Sequence, residues 1–102
     1  IFAIGWRDLH HVVELLFDRR DPAIKRRAEE VFRVLVREAA AAGYGEYRTH
    51  LSFMDDIAAT YGWNDHALLK LHQTIKDALD PNGILAPGKS GIWPARYRRS
   101  PS

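Results

Sequence analysis

"DPAIKRRAEEVFRVLVREAAAAG", residues 21–43, is the stretch that divides this chain of 102 residues into two kinds of sequence. Charged side chains lie on one face of it, and apolar side chains recur on the other at the spacing of an α-helix. The apolar stripe consists of Ile24, Ala28, Val31, Phe32, Leu35, Val36 and Ala39. Asp21 is suited to cap the free amides of the first turn, and Pro22 suits the first helical position. The pattern predicts a helix over residues 22–42, ended by the glycines at positions 43 and 45.

The sequence before this helix is rich in β-branched and aromatic residues, which favour strands. "IFAIGW" at residues 1–6 has this composition, and "HHVVELLFD" at residues 10–18 alternates its side chains between two faces. "GWRD" at residues 5–8 lies between them and has the composition of a turn. We therefore predict two strands that pair in antiparallel fashion.

The sequence after the helix predicts two further helices. "LSFMDDIAATYGW" at residues 51–63 predicts a short helix that begins near Ser52 and breaks at Gly62. "DHALLKLHQTIKDALD" at residues 65–80 predicts a longer helix that begins at position 64 or 65. The apolar face of this longer helix consists of Leu68, Leu71, Ile75 and Leu79.

A loop and a change in composition complete the predicted organisation. Proline and glycine recur through "DPNGILAPGKSGIWP" at residues 80–94, which predicts an ordered loop. Strand and helix patterns fill the chain up to residue 42, and polar-aromatic loops with helices follow it. We therefore expect a domain boundary near residue 43, with the two parts at 1–42 and 43–102.

Composition and charge exclude several classes of protein. The chain has no cysteine, so it forms neither disulfides nor a thiolate metal site, and it has no apolar run long enough to span a membrane. Its formal net charge is +2, and Arg96, Arg98 and Arg99 cluster in the C-terminal "RYRRSPS". A nucleic-acid reader usually shows a broader basic stripe, so we expect a solvated, frayed terminus and neither a nucleic-acid nor a membrane partner. The chain begins with Ile1 rather than Met, which suggests a C-terminal piece of a longer protein.

Metal and phosphate sites are poorly supported by the residue spacing. The five histidines are His10, His11, His50, His66 and His72, and no two of them have the three- or four-residue helical spacing of a zinc helix. We expect no metal site. The letters from Gly83 to Ser90 match a phosphate-binding loop, but no helix-forming sequence follows them, so we interpret the match as chance.

"GYGEYRTH", residues 43–50, places several hydrogen-bonding side chains in one run, and Tyr47 and Arg48 are the most informative pair. A guanidinium and a phenol hydroxyl held together form a good receptor for a phenolate or carboxylate oxygen. On a strand the two side chains would diverge, so the backbone has to bend for both to reach one oxygen. The alternative is a surface tyrosine beside a solvated arginine, and the residues alone leave both interpretations open.

"GYGEYRTHLSFMDDIAATYGWND" (43–65) and "DPNGILAPGKSGIWP" (80–94) together resemble the C-terminal end of the vanillyl-alcohol oxidase / p-cresol methylhydroxylase family of flavoproteins. Within the family, the resemblance is strongest to the bacterial eugenol oxidases. It implies an α+β fold: a two-domain FAD-binding fold of the vanillyl-alcohol oxidase type. Residues 1–42 would end the cap domain, which covers the substrate, and residues 43–102 would return into the FAD-binding domain.

The resemblance also implies a function. The family oxidises para-substituted phenols of the eugenol or vanillyl-alcohol type: a hydride leaves the benzylic carbon for flavin N5 and a quinone methide forms. By similarity, Tyr47 and Arg48 hold the phenolate oxygen, and Arg48 offsets negative charge on the reduced flavin. Lys89 is expected near the polar edge of the flavin, and Ile1 and Ala3 are expected to roof the substrate pocket.

Several expectations concern what lies outside this chain. FAD is the expected cofactor, and the histidine that links to it covalently is not in this sequence, so the piece alone would be inactive. The expected partners are a para-substituted phenol, molecular oxygen, the remainder of the same polypeptide and a second copy in a homo-oligomer. Hydrogen peroxide would be a product and the location cytoplasmic. The alternative is an α-rich interaction or nucleic-acid-binding module with a basic C-terminal tail.

Overall fold

The computed structural model describes residues 2–98, and the chain forms two compact units that divide between Val34 and Leu35. The elements in chain order are β1 (Phe2–Ala3), β2 (Leu9–His10), α1 (Pro22–Ala41), a 3-10 turn (Leu51–Phe53), α2 (Met54–Thr60), α3 (Trp63–Leu79) and two more 3-10 turns (Lys89–Gly91 and Ala95–Tyr97). The result is a helix-rich α+β arrangement with little strand. In the described part of the chain, no helix is long and apolar enough to cross a membrane.

The N-terminal unit contains the predicted antiparallel pair in a much shorter form. Ala3 of β1 pairs with Leu9 of β2, and the amide of Ile4 donates to the carbonyl of Asp8 at 3.1 Å. The predicted strand over residues 10–18 is wrong, because residues 11–18 have no regular secondary structure. A ladder of hydrogen bonds needs a partner strand along its whole length, and β1 offers a pairing edge to two residues only.

Helix α1 begins and ends as the sequence predicts. The carboxylate of Asp21 accepts from the amides of Ala23 at 2.9 Å and Ile24 at 3.4 Å. At the other end, Gly43 has φ +88°, a conformation that suits glycine, and its amide donates to the carbonyl of Ala40. This closes the helix with the usual left-handed glycine cap. No residue of α1 is buried, so its apolar stripe remains partly open to solvent.

Helix α2 carries the small core of the C-terminal unit. The ring Nδ1 of His50 accepts from the amide of Ser52 at 3.1 Å and so caps the 3-10 turn that leads into α2. Phe53 and Ile57 are buried, at 8% and 5% exposure, and Pro94 is buried as well. The predicted start near Ser52 is therefore confirmed, although the first turn is 3-10 rather than α.

Helix α3 presents its apolar face mostly to solvent. Leu68, Leu71, Ile75 and Leu79 are 49%, 56%, 47% and 77% exposed. The half-buried residues of the helix are instead mixed in character, and they are His66, Ala67, Leu69, His72, Gln73, Lys76 and Asp77. The helix begins at Trp63, close to the predicted start, but residues 64–66 have φ of 51°, 55° and 58°. The sequence did not predict this left-handed turn.

The predicted loop after α3 is ordered by an acidic side chain. Asp80 is 6% exposed and accepts from the amides of Ile84 at 2.9 Å and Leu85 at 3.0 Å. Its carboxylate also forms an ion pair with Lys76 at 2.6 Å. The hydrogen bond from Lys76, followed by those from the loop amides, holds the pKa of the Asp80 carboxyl below its ordinary value.

The later part of this loop packs against α2. Gly91 has φ +74°, and a Cβ at this position would lie 2.5 Å from the Cβ of Ala58. The indole of Trp93 donates to Asp55 Oδ1 at 2.9 Å. Ile92 is extended rather than helical, which agrees with the interpretation of the phosphate-loop letters as chance.

The C-terminal segment is held to α3. Asp77 accepts from the amide of Ala95 at 3.2 Å and from the guanidinium of Arg98. Arg98 also donates to the carbonyl of Trp93 at 3.0 Å, and Arg96 lies over the ring of Tyr97 at 4.5 Å. The expectation of a frayed terminus is therefore wrong for residues 96–98 of the tail. Arg99 lies outside the described residues.

Candidate functional site

The backbone bends at Tyr47 and Arg48, as the predicted pair requires. The guanidinium carbon of Arg48 lies 5.2 Å from the centre of the Tyr47 ring, so the two side chains stack instead of pointing to opposite faces. Tyr47 is 64% exposed in this chain, and Arg48 is also exposed. The Arg48 guanidinium and the Tyr47 ring are therefore adjacent, and both side chains are exposed in this chain.

A cavity of about 520 Å³ lies beside this pair, entirely within the C-terminal unit. Residues 46–49 form one wall, α2 and α3 form two others, and residues 89–92 complete the lining. The sequence-predicted residues Tyr47, Arg48 and Lys89 all line it. The volume is in the range of sites for small molecules and cofactors, about 300–1,000 Å³.

Tyr61 connects the wall at residues 46–49 to helix α2. Its hydroxyl donates to the backbone carbonyl of Glu46 at 2.7 Å, across 15 positions of sequence. Gly45 makes this approach possible, because a Cβ there would lie 2.7 Å from the same hydroxyl. The bend that carries Tyr47 and Arg48 is thus held by a contact on its N-terminal side.

The wall that carries Lys89 is held to the same helix. The amide of Ser90 faces the sulfur of Met54 at 3.3 Å, and the Gly91–Ala58 contact lies one turn of α2 further along. Helix α2 therefore contacts both segments that bring a cation to the cavity.

Glu46 adds a carboxyl group to the lining. Its Oε2 is buried and has no hydrogen-bond partner in the described structure. Burial raises the pKa of this carboxyl above its ordinary value, because the charged form loses solvation. The carboxyl is a hydrogen-bond acceptor that the described chain does not satisfy.

The remaining predicted site residues belong to the N-terminal strand. Ala3 lies in β1 and is exposed, and Ile1 lies outside the described residues. Their predicted contact with substrate stays a prediction. Residues 2–98 hold no group of three or more side chains able to bind a metal ion.

The lining residues that the sequence did not predict as site residues include Glu46, Tyr61 and His72. Glu46 is part of the polar run at residues 43–50, which was its only signal. Tyr61 stands one position before the glycine predicted to break the helix, and nothing local distinguishes it from other tyrosines. His72 lies on α3 among apolar neighbours, where a packing role is equally common.

Residues 6–90 match the family model described as FAD linked oxidases, C-terminal domain. The chain belongs to this family. FAD is the cofactor of the FAD-linked oxidases, which agrees with the cofactor that the resemblance implied.

Two relatives show which FAD-linked oxidases this domain is similar to. The chain is 44% identical to the flavoprotein subunit of 4-cresol dehydrogenase (hydroxylating) from Pseudomonas putida, over 91 residues that cover 89% of the chain and 17% of that protein. It also matches the structure of 4-ethylphenol oxidase from Gulosibacter chungangensis in complex with isoeugenol, with a TM-score of 0.74 and 52% sequence identity.

The structural match covers 78% of this chain and 15% of the 4-ethylphenol oxidase chain. The FAD-linked oxidase domain thus spans less than a fifth of the length of either relative. The resemblance to the vanillyl-alcohol oxidase / p-cresol methylhydroxylase family and the predicted fold class are both confirmed.

Proposed function

We propose that this domain supplies Tyr47 and Arg48 to the active site of an FAD-dependent enzyme that oxidises para-alkylphenols. The observation that carries the proposal is the bend that stacks Arg48 on Tyr47 at the wall of a 520 Å³ cavity also lined by Lys89. The names of both relatives, a cresol dehydrogenase and an ethylphenol oxidase, support a phenol as substrate.

The chemistry of this pair suits an ionised phenol. A free phenol has a pKa near 10, so only about one molecule in a thousand is ionised at pH 7. The guanidinium of Arg48 and the hydroxyl of Tyr47 both donate hydrogen bonds, and the positive charge favours the phenolate over the phenol. Negative charge on the substrate oxygen promotes the loss of a hydride from the benzylic carbon, because that charge flows into the ring as the neutral quinone methide forms.

The cations that line the cavity suit the cofactor that the family implies. When bound, FAD supplies the acceptor for the hydride. Arg48 and Lys89 present two cations to the cavity, and we assign them to the polar, electron-rich edge of the flavin. Their charge would favour the anionic form that the ring takes after reduction.

The apolar surface of α3 indicates where the rest of the protein would pack. Its apolar face is about half exposed or more, and the chain spans 17% of the length of its Pseudomonas relative. We propose that the remainder of the same polypeptide covers this face and supplies the covalent flavin link. The same proposal has three further parts. Residues 1–42 form the end of the cap domain, the protein forms a homo-oligomer, and its location is cytoplasmic.

The test of the substrate and of Arg48 uses the full-length, flavin-loaded protein. Anaerobic mixing with 4-ethylphenol should bleach the oxidised flavin absorbance. Arg48→Lys should lower the rate of bleaching about 100-fold or more, since an ammonium cannot reproduce two directed donors. Arg37→Lys, an exposed position on α1, is the matched control and should react like the wild type.

Two outcomes would contradict this proposal. If no para-alkylphenol reduces the flavin of the wild-type protein, para-alkylphenols are not its substrates. Rapid bleaching in Arg48→Lys would remove Arg48 from the mechanism while leaving the substrate in place.

We further propose molecular oxygen as the electron acceptor, on the strength of the 52% identity to a relative named as an oxidase. Stoichiometric hydrogen peroxide during aerobic turnover is the expected result. Turnover that requires an added electron acceptor and yields no peroxide would instead place the protein with the dehydrogenases.

A further inference from the structure

We propose that Tyr61 is a positioning residue, one that fixes the bend of Tyr47 and Arg48 against helix α2. The inference rests on the proposed function and assigns the part of the chain that sets the geometry of the phenolate receptor. Tyr61 does not need to touch the substrate for this role, because it acts through the backbone of the neighbouring residue.

The first observation is the hydrogen bond from the Tyr61 hydroxyl to the carbonyl of Glu46, at 2.7 Å. Residues 44–49 belong to no helix or strand, so no ladder of backbone bonds fixes their position. A bond to the carbonyl of Glu46 constrains the peptide plane that leads directly into Tyr47. This hydrogen bond, the tether, therefore acts one residue away from Tyr47, the predicted substrate contact.

The second observation is steric and independent of the hydrogen bond. A Cβ on Gly45 would lie 2.7 Å from the Tyr61 hydroxyl and 3.1 Å and 3.2 Å from two ring carbons. The backbone at Gly45 thus approaches the Tyr61 ring edge more closely than any other residue type would allow. The chain therefore meets the end of this side chain at Gly45 and at the Glu46 carbonyl.

The third observation is that helix α2 fixes the position of Tyr61. Tyr61 ends helix α2, and its amide donates to the carbonyl of Ala58 at 3.3 Å. Ala58 is also the residue against which Gly91 packs, and Gly91 belongs to the same turn as Lys89. One helix end therefore relates the position of Arg48 to that of Lys89, the two cations of the cavity.

The expected consequence is a change in chemistry without loss of the fold. A receptor misplaced by about 1 Å can lose about 100-fold in rate. Tyr61→Phe keeps the ring and removes the tether, so we expect the rate of anaerobic flavin reduction by saturating 4-ethylphenol to fall about tenfold or more. The apparent pKa of a bound phenol should rise, since Arg48 and Tyr47 would stabilise the phenolate less well.

The experiment compares three variants of the full-length flavoprotein. Tyr61→Phe removes the hydroxyl, and Gly45→Ala keeps the hydroxyl but displaces it from Glu46. Tyr44→Phe removes a hydroxyl from a nearby tyrosine that is 72% exposed, and serves as the matched control. For each protein we would measure the reduction rate, the pH dependence of the absorbance of a bound chromophoric phenol, and the thermal midpoint.

The readouts separate positioning from stability. A slower reduction and a raised pKa of the bound phenol in both Tyr61→Phe and Gly45→Ala, with Tyr44→Phe unchanged, would support the proposal. A lowered thermal midpoint with unaltered reduction and phenol pKa would overturn it and leave Tyr61 with a structural role. If Tyr61→Phe does not fold, Gly45→Ala decides the matter by the same two readouts.

The behaviour of the wild-type protein distinguishes a failure of this inference from a failure of the proposed function. If the wild-type flavin is reduced by 4-ethylphenol and the two variants behave like it, the positioning role fails alone. If the wild-type flavin is not reduced by any para-alkylphenol, the proposed function has failed first.

Discussion

Glu46 combines a satisfied backbone group with an unsatisfied side chain. Its carbonyl accepts from Tyr61, whereas its buried Oε2 has no partner among the described residues. Loss of solvation raises the pKa of the carboxyl above its ordinary value of 4.5. From pH 4.5 up to that raised pKa, the folded state binds more protons than the unfolded state. The free energy of unfolding therefore decreases as pH rises through this interval.

The prediction for this residue is that Glu46→Gln stabilises the protein at pH 7. Glutamine has nearly the same shape and no charge, so the cost of desolvating the charge disappears. The thermal midpoint of the full-length protein should rise at pH 7 and depend less on pH above 4.5 than that of the wild type. Glu38→Gln on α1, where the carboxyl is exposed, is the control. A lower midpoint at pH 7 would mean that a donor from elsewhere in the protein pairs with the Glu46 carboxylate.

At the scale of single residues, the family motif pointed to Tyr47 and Arg48, where the residue types alone left two interpretations open. Tyr47 and Arg48 are adjacent in sequence, so the motif contains both, and the structure adds the bend that lets them stack. Tyr61 contacts Glu46 across 15 positions, and only the folding of α2 against the loop brings the two together. Such a contact has no signature in a single sequence, because neither residue type is unusual where it stands.

At the scale of elements, the predictions succeeded where the sequence signal is local and failed where an element depends on a partner elsewhere in the chain. Helix α1 has a capping aspartate, a proline at its start and a glycine after its end, and its predicted bounds agree with Pro22–Ala41 to within one residue. The strand predicted at residues 10–18 failed, because alternation shows only which faces a strand would have. A pairing partner is also needed, and β1 provides one for Leu9 and His10 only.

The close contact between α2 and the turn at Lys89–Gly91 is the packing feature on which the Lys89 wall depends. Gly91 is buried, has φ +74° and leaves no room for a Cβ, which would meet Ala58 at 2.5 Å. The backbone carbonyl of Met54 would lie at 3.3 Å from the same added atom, so the helix main chain itself would have to move.

We predict that Gly91→Ala destabilises the protein by about 1–3 kcal/mol through overpacking. Because the turn carries Lys89 into the cavity, the flavin of the variant should also be reduced more slowly by 4-ethylphenol. Denaturant unfolding and the rate of anaerobic flavin reduction give the two measurements. Gly5→Ala is the matched control, since a Cβ there would meet its nearest neighbour, Asp8, at an ordinary 3.5 Å. Equal stability of Gly91→Ala and wild type would show that α2 and the turn separate easily.

For the whole molecule, the distribution of apolar surface is the most informative property. A solvent-facing row of leucines and isoleucine on α3 is unusual for a helix whose other side is half-buried. Trp63, Ile84 and Leu85 add to the exposed apolar surface, at 83%, 72% and 64% exposure. The chain spans 15–17% of the length of its relatives, so their length leaves ample protein to cover such a surface. Sequence periodicity showed that α3 has an apolar face, but periodicity does not tell which partner covers it.

The corresponding prediction concerns Leu71 in the full-length protein. If the remaining polypeptide covers the apolar face of α3, Leu71→Asn removes a buried leucine and should cost about 1.5–3 kcal/mol of stability. Thr74→Asn introduces the same residue into the same helix at an exposed polar position, so it should cost less than half as much. Denaturant unfolding followed by flavin fluorescence would measure both. Losses of equal size would show that Leu71 stays in contact with water in the intact protein, because a covered leucine should lose much more stability than an exposed threonine.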